Sequence, residues 1–448
     1  MIKDFTKDSI PLHLLSMALP LAANMFSQIA YQLVNLYFLT KIGVAATAGA
    51  NAASNMVFAV TALAQVLGVG TTACVAHVLG RKDAVAANEL LNQSVLFSGL
   101  CGFTVLVLLM LSIGPYLNGV AADQATIEAG TTFILWVAPG YALMLPWTAV
   151  ASALRGAGVV KPIIAITMLS VVMNVILAPI LIVGWLTGIA LGVRGAGLAT
   201  SISVAAGTAA LAIYVLRPGQ PLRLAIALMR PKVSHWRRIL AIGIPAGGEF
   251  ALTFASAAVV YYCVRDFGAS AQAGFGIGSR VLQAILLPGL AIALAAGPIV
   301  GQNFGARNSA RIHETIRTAV LLGTIVMMAI TALVQWYTDA FLKIFSADSS
   351  SAAVATLFLQ LTSWTFVAQG LVYTCTTTFQ GLGNTVPALL SSATRFCVFA
   401  ALVLWLSTQP HFRIEHVWYA SILSVALQAI VSLSLLRIEL RRLRPQGA

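Results

Sequence analysis

The chain has 448 residues, of which 59% are hydrophobic and only 9% are charged. Because soluble proteins carry roughly 25% charged residues, this composition excludes a soluble domain and indicates a membrane protein. The formal net charge of +13 does not indicate nucleic-acid binding, because the basic residues cluster in short connections between apolar segments. The five cysteines lie in apolar segments without metal-ligand spacing, so we expect no metal site and no cofactor.

Twelve apolar segments are each long enough to cross a bilayer core as a helix, which requires roughly twenty apolar residues. They lie near residues 13–40, 50–79, 91–114, 125–153, 163–186, 195–216, 239–265, 275–303, 316–341, 352–379, 387–407 and 414–436. Lipid offers no partner for open backbone groups, so each span is expected to be helical. The sequence therefore predicts an all-α membrane protein with twelve transmembrane helices.

Lysine and arginine are distributed unevenly between the two sides of these spans. They concentrate near both termini and in every second connection, above all in the basic linker 217–238. Because basic connections stay on the cytoplasmic side, we expect both termini and this linker inside the cell. Arg280 and Arg395 fit neither side, since they fall inside or at the edge of spans. The compact chain favours the inner membrane of a prokaryote, with the lipid bilayer around a monomer.

The two halves of the sequence repeat each other in one register, in which residue n matches residue n + 225 without a gap. The identical pairs include Pro20 with Pro245, Tyr37 with Tyr262, Gly43 with Gly268, Gly80 with Gly305, and Gly156 with Gly381. Each repeat holds six spans, an even number, so the repeats are parallel and a substrate site is expected at their interface. This predicts an N-lobe of residues 1–216 and a C-lobe of residues 239–448 around a central cavity.

Glycine-rich turns and polar motifs occur in the same order in both repeats. They include Leu154-Arg155-Gly156-Ala157-Gly158 with Pro162, Phe379-Gln380-Gly381-Leu382-Gly383 with Pro387, Leu79-Gly80-Arg81, and Asn174 with Pro179. In this order they resemble the multidrug and toxic compound extrusion (MATE) family over nearly the whole chain. The resemblance implies a V-shaped fold of two six-helix lobes. It also implies export of organic cations or other amphipathic compounds, driven by inward protons or sodium.

The sequence departs from the family pattern at the positions where acids are usual. Asn35 stands in span one where members often carry an aspartate, and Ala178 precedes the proline of span five, although Asn174 is retained. Thr253 and Gln369 stand where some members carry acids in spans seven and ten. The resemblance thus implies Asn35 and Asn174 as ion-coupling positions, but the familiar N-lobe proton site lacks its acid.

Glu249 is the acidic residue that lies well inside a predicted span. It follows Arg238 by about eleven residues, on the order of 16 Å along a helix. A carboxylate at that depth is costly, which makes it a candidate functional group. Loss of solvent favours the neutral carboxyl form, so proton uptake and release are expected there. The alternative is that Glu249 reaches lipid headgroups or a local Ser or Thr partner.

Polar side chains recur at helical steps of three and four in span one and, with Glu249, in span seven. This spacing puts them on one helix face. The predicted substrate-cavity residues in these and other spans are Asn24, Gln28, Tyr31, Thr253, Ser256, Arg280, Gln283, Gln369 and Tyr373. The alternative is hydrogen bonding between helices of one lobe. Arg280 is expected to pair with a polar group, backbone carbonyls or Glu249, unless it extends outward to the interface.

These features favour a secondary antiporter that works by alternating access. Glu249 takes up a proton in the outward-facing state, and the proton and a small amphipathic or cationic substrate exclude one another. Sodium, held by a carboxylate with carbonyl and hydroxyl oxygens, is the alternative ion. A single buried acid favours the proton.

Two other classes of function are alternatives to an antiporter. A flippase of lipid-linked or polysaccharide precursors would carry anionic cargo and would be favoured by a cavity rich in arginine. A membrane enzyme or a channel is less favoured, because the spans contain neither metal-ligand spacing nor a nucleophile with a base. The sequence also has no Gly-x-x-x-x-Gly-Lys-Ser/Thr segment for ATP. We therefore do not expect an enzyme.

Overall fold

A computed structural model describes residues 3–120, 123–220, 222–343 and 349–443 of the chain. The first half contains the helices α1 Ile10–Ile42, α2 Val44–Gly80, α3 Ala84–Val120, α4 Gln124–Gly156, α5 Lys161–Ile182 and α6 Val193–Leu216. The second half contains α7 Val233–Val264, α8 Ala269–Gly305, α9 Ser309–Lys343, α10 Ser349–Ser363, α11 Phe366–Leu382, α12 Val386–Ser407 and α13 Ile414–Arg442. Short 3-10 helices lie at Ile226–Leu228 and Arg265–Phe267.

Within the described ranges, 11 helices are long and apolar enough to cross a membrane, and α10 with α11 brings the number to 12 if that bent pair is one span. The all-α membrane fold with twelve spans is therefore confirmed. The predicted span over 352–379 is divided into two helices, because α10 and α11 meet at a bend of 62°. At the bend, the Ser363 and Thr365 hydroxyls donate to backbone carbonyls three residues back. Such local bonds compete with the helical ladder and favour a break.

Helix bounds repeat in the register of the sequence. Helix α8 occupies the positions of α2 shifted by 225 residues, and α12 occupies those of α5 shifted by the same number. The turns repeat as well. Lys82 and Arg307, which follow α2 and α8, have φ of 62° and 57°, and Gly158 and Gly383, which follow α4 and α11, have φ of 72° and 78°. Each half of the chain therefore uses one helix-and-turn plan.

We expect Lys82→Gly and Arg307→Gly to stabilise the protein. A side chain in the left-handed region costs roughly 1–2 kcal/mol, and glycine removes this cost while adding entropy to the unfolded chain. The net gain expected is up to about 1 kcal/mol for each variant. Thermal unfolding of the purified protein in detergent measures the change.

The matched control for this prediction is Gly158→Ala, which places a side chain at the corresponding left-handed position after α4. Its unfolding temperature should fall while those of the two glycine variants rise. A lower unfolding temperature for Lys82→Gly would show that the lysine side chain contributes more than its backbone conformation costs.

The chain packs as two compact units that do not follow the chain order strictly. Unit 1 comprises Met1–Asp4 and Ala23–Gly243, and unit 2 comprises Phe5–Ala22 and Ile244–Ala448. Helices α1 and α7 therefore each contribute to both units. The division predicted from the repeat, at 216 and 239, assigned each of these spans to one lobe.

The core of unit 1 is built around α4, which packs against α2, α3 and α6. The first third of α7 joins this core, since Ile239 and Ile242 are buried in it. The close approach of α7 to α2 depends on glycine. A Cβ atom added at Gly243 would lie 2.0 Å from the Val66 carbonyl oxygen, and one at Gly70 would lie 2.2 Å from the Ile239 carbonyl oxygen. No other residue fits at these two positions without moving a helix.

The basic linker is held against unit 1 by side-chain amides of α3. Asn92 Nδ2 donates to the Arg223 carbonyl at 2.9 Å, and Asn92 Oδ1 accepts from the Ala225 N–H at 2.8 Å. Gln93 Nε2 donates to the Leu228 carbonyl at 2.8 Å. The last six residues of the predicted linker 217–238 belong to α7, which begins at Val233. The linker is therefore an ordered part of unit 1.

The core of unit 2 is built around α8, which packs against α9, α10 and α11. An aromatic cluster lies in it, where the Trp418 ring is 5.6 Å from Phe275 and 4.8 Å from Phe358 between centroids. The segment that precedes α1 is also part of this unit. Phe5 is fully buried, and its backbone N–H donates to Gln302 Oε1 at 3.0 Å.

Candidate functional site

Unit 2 contains a cavity of about 120 Å³ between helices α7, α11, α12 and α13. Its lining residues are Glu249, Leu252, Thr253, Ser256, Gln369, Val372, Tyr373, Ser392, Arg395 and Gln428. Eight of these ten residues are polar or charged, although all four helices belong to apolar spans. Polar and ionisable groups at such depth mark a site for ligands or ions more often than a structural core.

The Glu249 carboxylate is half-buried and is held by hydroxyl groups of two other helices. Its Oε1 accepts a hydrogen bond from Thr376 Oγ1 at 2.9 Å and a longer one from Ser392 Oγ at 3.4 Å. The ion pairs formed by the described residues do not include Glu249. Burial favours the neutral form of this carboxyl group, whereas the two hydroxyl donors support the ionised form. No cation among the described residues forms an ion pair with it. The carboxylate is thus available to a proton or to a cationic ligand.

A chain of hydrogen bonds connects Glu249 with the arginine of the same cavity. Gln428, which is almost fully buried, donates from Nε2 to Ser392 Oγ at 3.0 Å. Arg395 Nη1 in turn donates to Gln428 Oε1 at 3.3 Å. Two neutral side chains therefore stand between the guanidinium and the carboxylate, so the cavity holds one positive and one negative group without a direct ion pair.

The structure brings five predicted site residues together in this cavity. They are Glu249, Thr253, Ser256, Gln369 and Tyr373. Arg280 and Gln283 lie exposed on α8 and do not line it. Pairing of Arg280 with Glu249, one of the alternatives predicted for it, does not occur among the ion pairs of the described residues. The place of Arg280 and Gln283 in a substrate cavity stays a prediction.

The remaining predicted residues belong to unit 1, where four of them are on α1. Asn35 Nδ2 donates to Asn174 Oδ1 at 3.1 Å, and the Tyr31 hydroxyl lies 3.2 Å from Thr200 Oγ1. Asn174 is fully buried. Among the described residues, Asn35 Oδ1 and Asn174 Nδ2 have no hydrogen-bond partner. This cluster combines amide, phenol and hydroxyl groups and contains no carboxylate.

Asn24 and Gln28 lie on α1 in unit 1 with different exposure. Asn24 is half-buried and Gln28 is exposed. Neither of them lines the cavity of unit 2. Their predicted place in a substrate cavity stays a prediction.

Four polar residues of the unit 2 site were not among the predicted site residues. These are Thr376, Ser392, Arg395 and Gln428. Arg395 could have been found, because it is an ionisable residue inside a span, the argument that singled out Glu249. The other three carry no comparable signal, since hydroxyl and amide side chains are common between packed membrane helices.

The sequence profile of the MatE family matches residues 20–180 and 245–406, one match in each repeat. The chain belongs to the MatE family. The predicted resemblance is thereby confirmed over more than half of the chain. Membership also confirms that the protein is a multi-pass membrane transporter rather than an enzyme.

Relatives of known name share about a quarter of their residues with this MatE protein. The multidrug export protein MepA of Staphylococcus haemolyticus is 26% identical over 392 residues, which cover 86% of this chain and 85% of MepA. The probable multidrug resistance protein YoeA of Bacillus subtilis is 23% identical over 418 residues, which cover 92% of this chain and 90% of YoeA.

A solved structure of a MATE protein in complex with MaL6 superposes on this MatE protein with a TM-score of 0.92. The match covers 98% of both chains at 19% sequence identity. At this identity the likeness establishes the shared fold alone.

Proposed function

We propose that this MatE protein is a proton-coupled antiporter that exports amphipathic organic compounds bearing a positive charge. Glu249 is the group that the proton and the substrate occupy in turn. The names of the relatives, multidrug export and multidrug resistance proteins, support export of small organic molecules. The bacterial relatives also support a prokaryotic inner membrane, and the basic connections support cytoplasmic termini.

The observation that carries this proposal is the environment of the Glu249 carboxylate. It faces a cavity, it is stabilised by the Thr376 and Ser392 hydroxyls, and no ion pair of the described residues includes it. A structural glutamate inside a membrane span would instead be neutralised by a fixed partner. An unpaired acid that faces a cavity is suited to reversible binding of a proton or a cation.

Coupling follows from competition at one carboxylate. A protonated Glu249 has no charge with which to bind a cation, and a cation beside the carboxylate disfavours protonation. Because the two ligands exclude each other, binding of one lowers the affinity for the other by a reciprocal factor. An inward proton gradient then drives export by alternating access. This requires that the protein does not switch freely between its inward-facing and outward-facing states while Glu249 is ionised and unoccupied.

Sodium is the second candidate for the coupling ion. The Glu249 carboxylate and the Thr376 and Ser392 hydroxyls form a set of oxygen atoms that a hard cation also accepts. In unit 1, the unpartnered Asn35 Oδ1 next to Asn174 would be the acceptor atom for the predicted ion-coupling role of that pair. We favour the proton because the cavity lining holds one carboxylate, which a proton neutralises by itself.

The flippase alternative predicted a cavity rich in arginine for an anionic cargo. The lining of the unit 2 cavity contains one arginine, Arg395, together with one acid. This balance of charge supports export of small molecules over transport of lipid-linked precursors.

The test is efflux of a fluorescent organic cation from proteoliposomes that contain the purified wild-type protein. Three conditions are compared: a pH gradient without sodium, a sodium gradient without a pH gradient, and neither gradient. We expect efflux to follow the pH gradient and to be independent of sodium. Efflux that appears only with sodium would replace the proton by sodium as coupling ion. Efflux that responds to neither gradient would overturn the antiporter.

A further inference from the structure

We propose that the cavity of unit 2 is built for zwitterionic substrates, whose cationic group binds Glu249 and whose carboxylate or phosphate group binds Arg395. This inference rests on the proposed function and names its substrate class. It is carried by the presence of two opposite charges that line one cavity without neutralising each other. Arg395 has no part in the coupling by competition at Glu249.

Arg395 is a charged group deep in a span. It lies about nine residues after Val386, the start of α12, on the order of 13 Å along the helix. A guanidinium in that position is costly unless its N–H groups find acceptors. It offers five N–H donors, yet among the described residues its hydrogen bond is the one to Gln428 at 3.3 Å. The other donors are available to an anionic group in the cavity.

The cavity keeps its two charges apart. A buried acid and a buried arginine are usually compensated by direct, well-aligned pairing. Here Ser392 and Gln428 occupy the intervening positions and bond each other at 3.0 Å. The Glu249 carboxylate and the Arg395 guanidinium thus lie at the two ends of a chain of three hydrogen bonds. A ligand that spans these ends needs a positive and a negative group several bonds apart.

The sign of the coupling also favours a zwitterion. A simple anion at Arg395 would bind best when Glu249 is protonated, and it would then travel with the proton instead of exchanging for it. A simple cation can bind Glu249, but Arg395 in the same low-dielectric cavity weakens its binding. A zwitterion satisfies both charged groups, and its cationic end still competes with the proton. It is therefore the class that uses both charged groups of this cavity and still exchanges for a proton.

Three radiolabelled probes of one shape test the inference by direct binding to the purified protein. The first is trimethylammonio-hexanoate, a permanent zwitterion. The second is its methyl ester, which is a cation. The third is the carboxylate in which carbon replaces the ammonium nitrogen. We expect the wild type to bind the zwitterion about tenfold or more tightly than the ester, because the carboxylate of the zwitterion accepts a hydrogen bond between charged groups from Arg395 and the neutral ester cannot.

Arg395→Gln is expected to remove this preference, so that the ester binds at least as tightly as the zwitterion. Retained ester binding shows that the variant is folded. Arg317→Gln, an exposed arginine on α9, is the matched control and should keep the wild-type preference. Equal binding of zwitterion and ester by the wild type, no zwitterion binding, or an unchanged preference in Arg395→Gln would each overturn the inference.

The same probes separate this inference from the proposed function. If protons displace the ester from the wild type but the zwitterion shows no advantage, competition at Glu249 stands and the role of Arg395 fails. If protons displace neither probe, the proposed coupling itself fails. The carbon analogue tests whether protonation affects an anion and a cation in opposite directions. Its binding should strengthen as the pH falls, whereas binding of the ester should weaken.

Discussion

Efflux of substrate is expected to lose its response to a pH gradient when Glu249 is replaced by glutamine. The substitution preserves the shape of the side chain and its ability to accept from the Thr376 and Ser392 hydroxyls. It removes the negative charge and the titrating proton. A site that neither ionises nor changes its charge cannot exchange a proton for a cation. Efflux of a fluorescent cation under an imposed pH gradient, without sodium, measures the effect.

The matched control for this prediction is Glu314→Gln, the same change at an exposed position on α9. It should transport like the wild type when both proteins are reconstituted in equal amounts. If Glu249→Gln couples as well as the wild type, Glu249 is structural and the proposed coupling site is wrong. An unchanged unfolding temperature in detergent would show that Glu249→Gln is intact.

The second large effect is expected from Arg311→Ala, which removes the anchor of the segment before α1. Arg311 Nη2 donates to the backbone carbonyl oxygens of Phe5, Lys7 and Asp8 at 3.1, 2.8 and 2.9 Å. Bonds from a charged donor contribute roughly 1.5–3 kcal/mol each and are not additive. We expect a loss of about 3 kcal/mol for this network. Thermal unfolding in detergent measures it.

Protease cleavage near Lys7 provides a local readout of the same prediction. The segment should become sensitive in Arg311→Ala, because the backbone groups that Arg311 satisfied then bond to water. Arg317→Ala, an exposed arginine on the same helix, is the control and should change neither stability nor cleavage. Unchanged stability and protection in Arg311→Ala would mean that Phe5 and its bonds to Gln302 and Asn303 hold the segment without the guanidinium.

The sequence alone was sufficient for the features that the bilayer imposes locally. A span must be about twenty apolar residues long and must satisfy its backbone within a helix, so hydropathy is enough to count and place the spans. The repeat needs only the comparison of two halves, and helices α2 and α8 confirm its register. The depth of Glu249 follows from its distance to the nearest basic residue. Arg395 is recognisable in the sequence as another charged residue within a span.

Only the tertiary structure decided which polar groups meet. The chain from Glu249 through Ser392 and Gln428 to Arg395 joins α7, α12 and α13 by bonds between residues 33 to 143 positions apart in sequence. A serine or a glutamine in a span has the same local pattern whether it bonds a neighbouring helix or a ligand. The division of α1 and α7 between two units was also invisible, because it depends on packing such as that of Gly243 against the Val66 carbonyl. Hydropathy reports how deep a residue lies in the membrane, whereas its partners are set by contacts between segments distant in the chain.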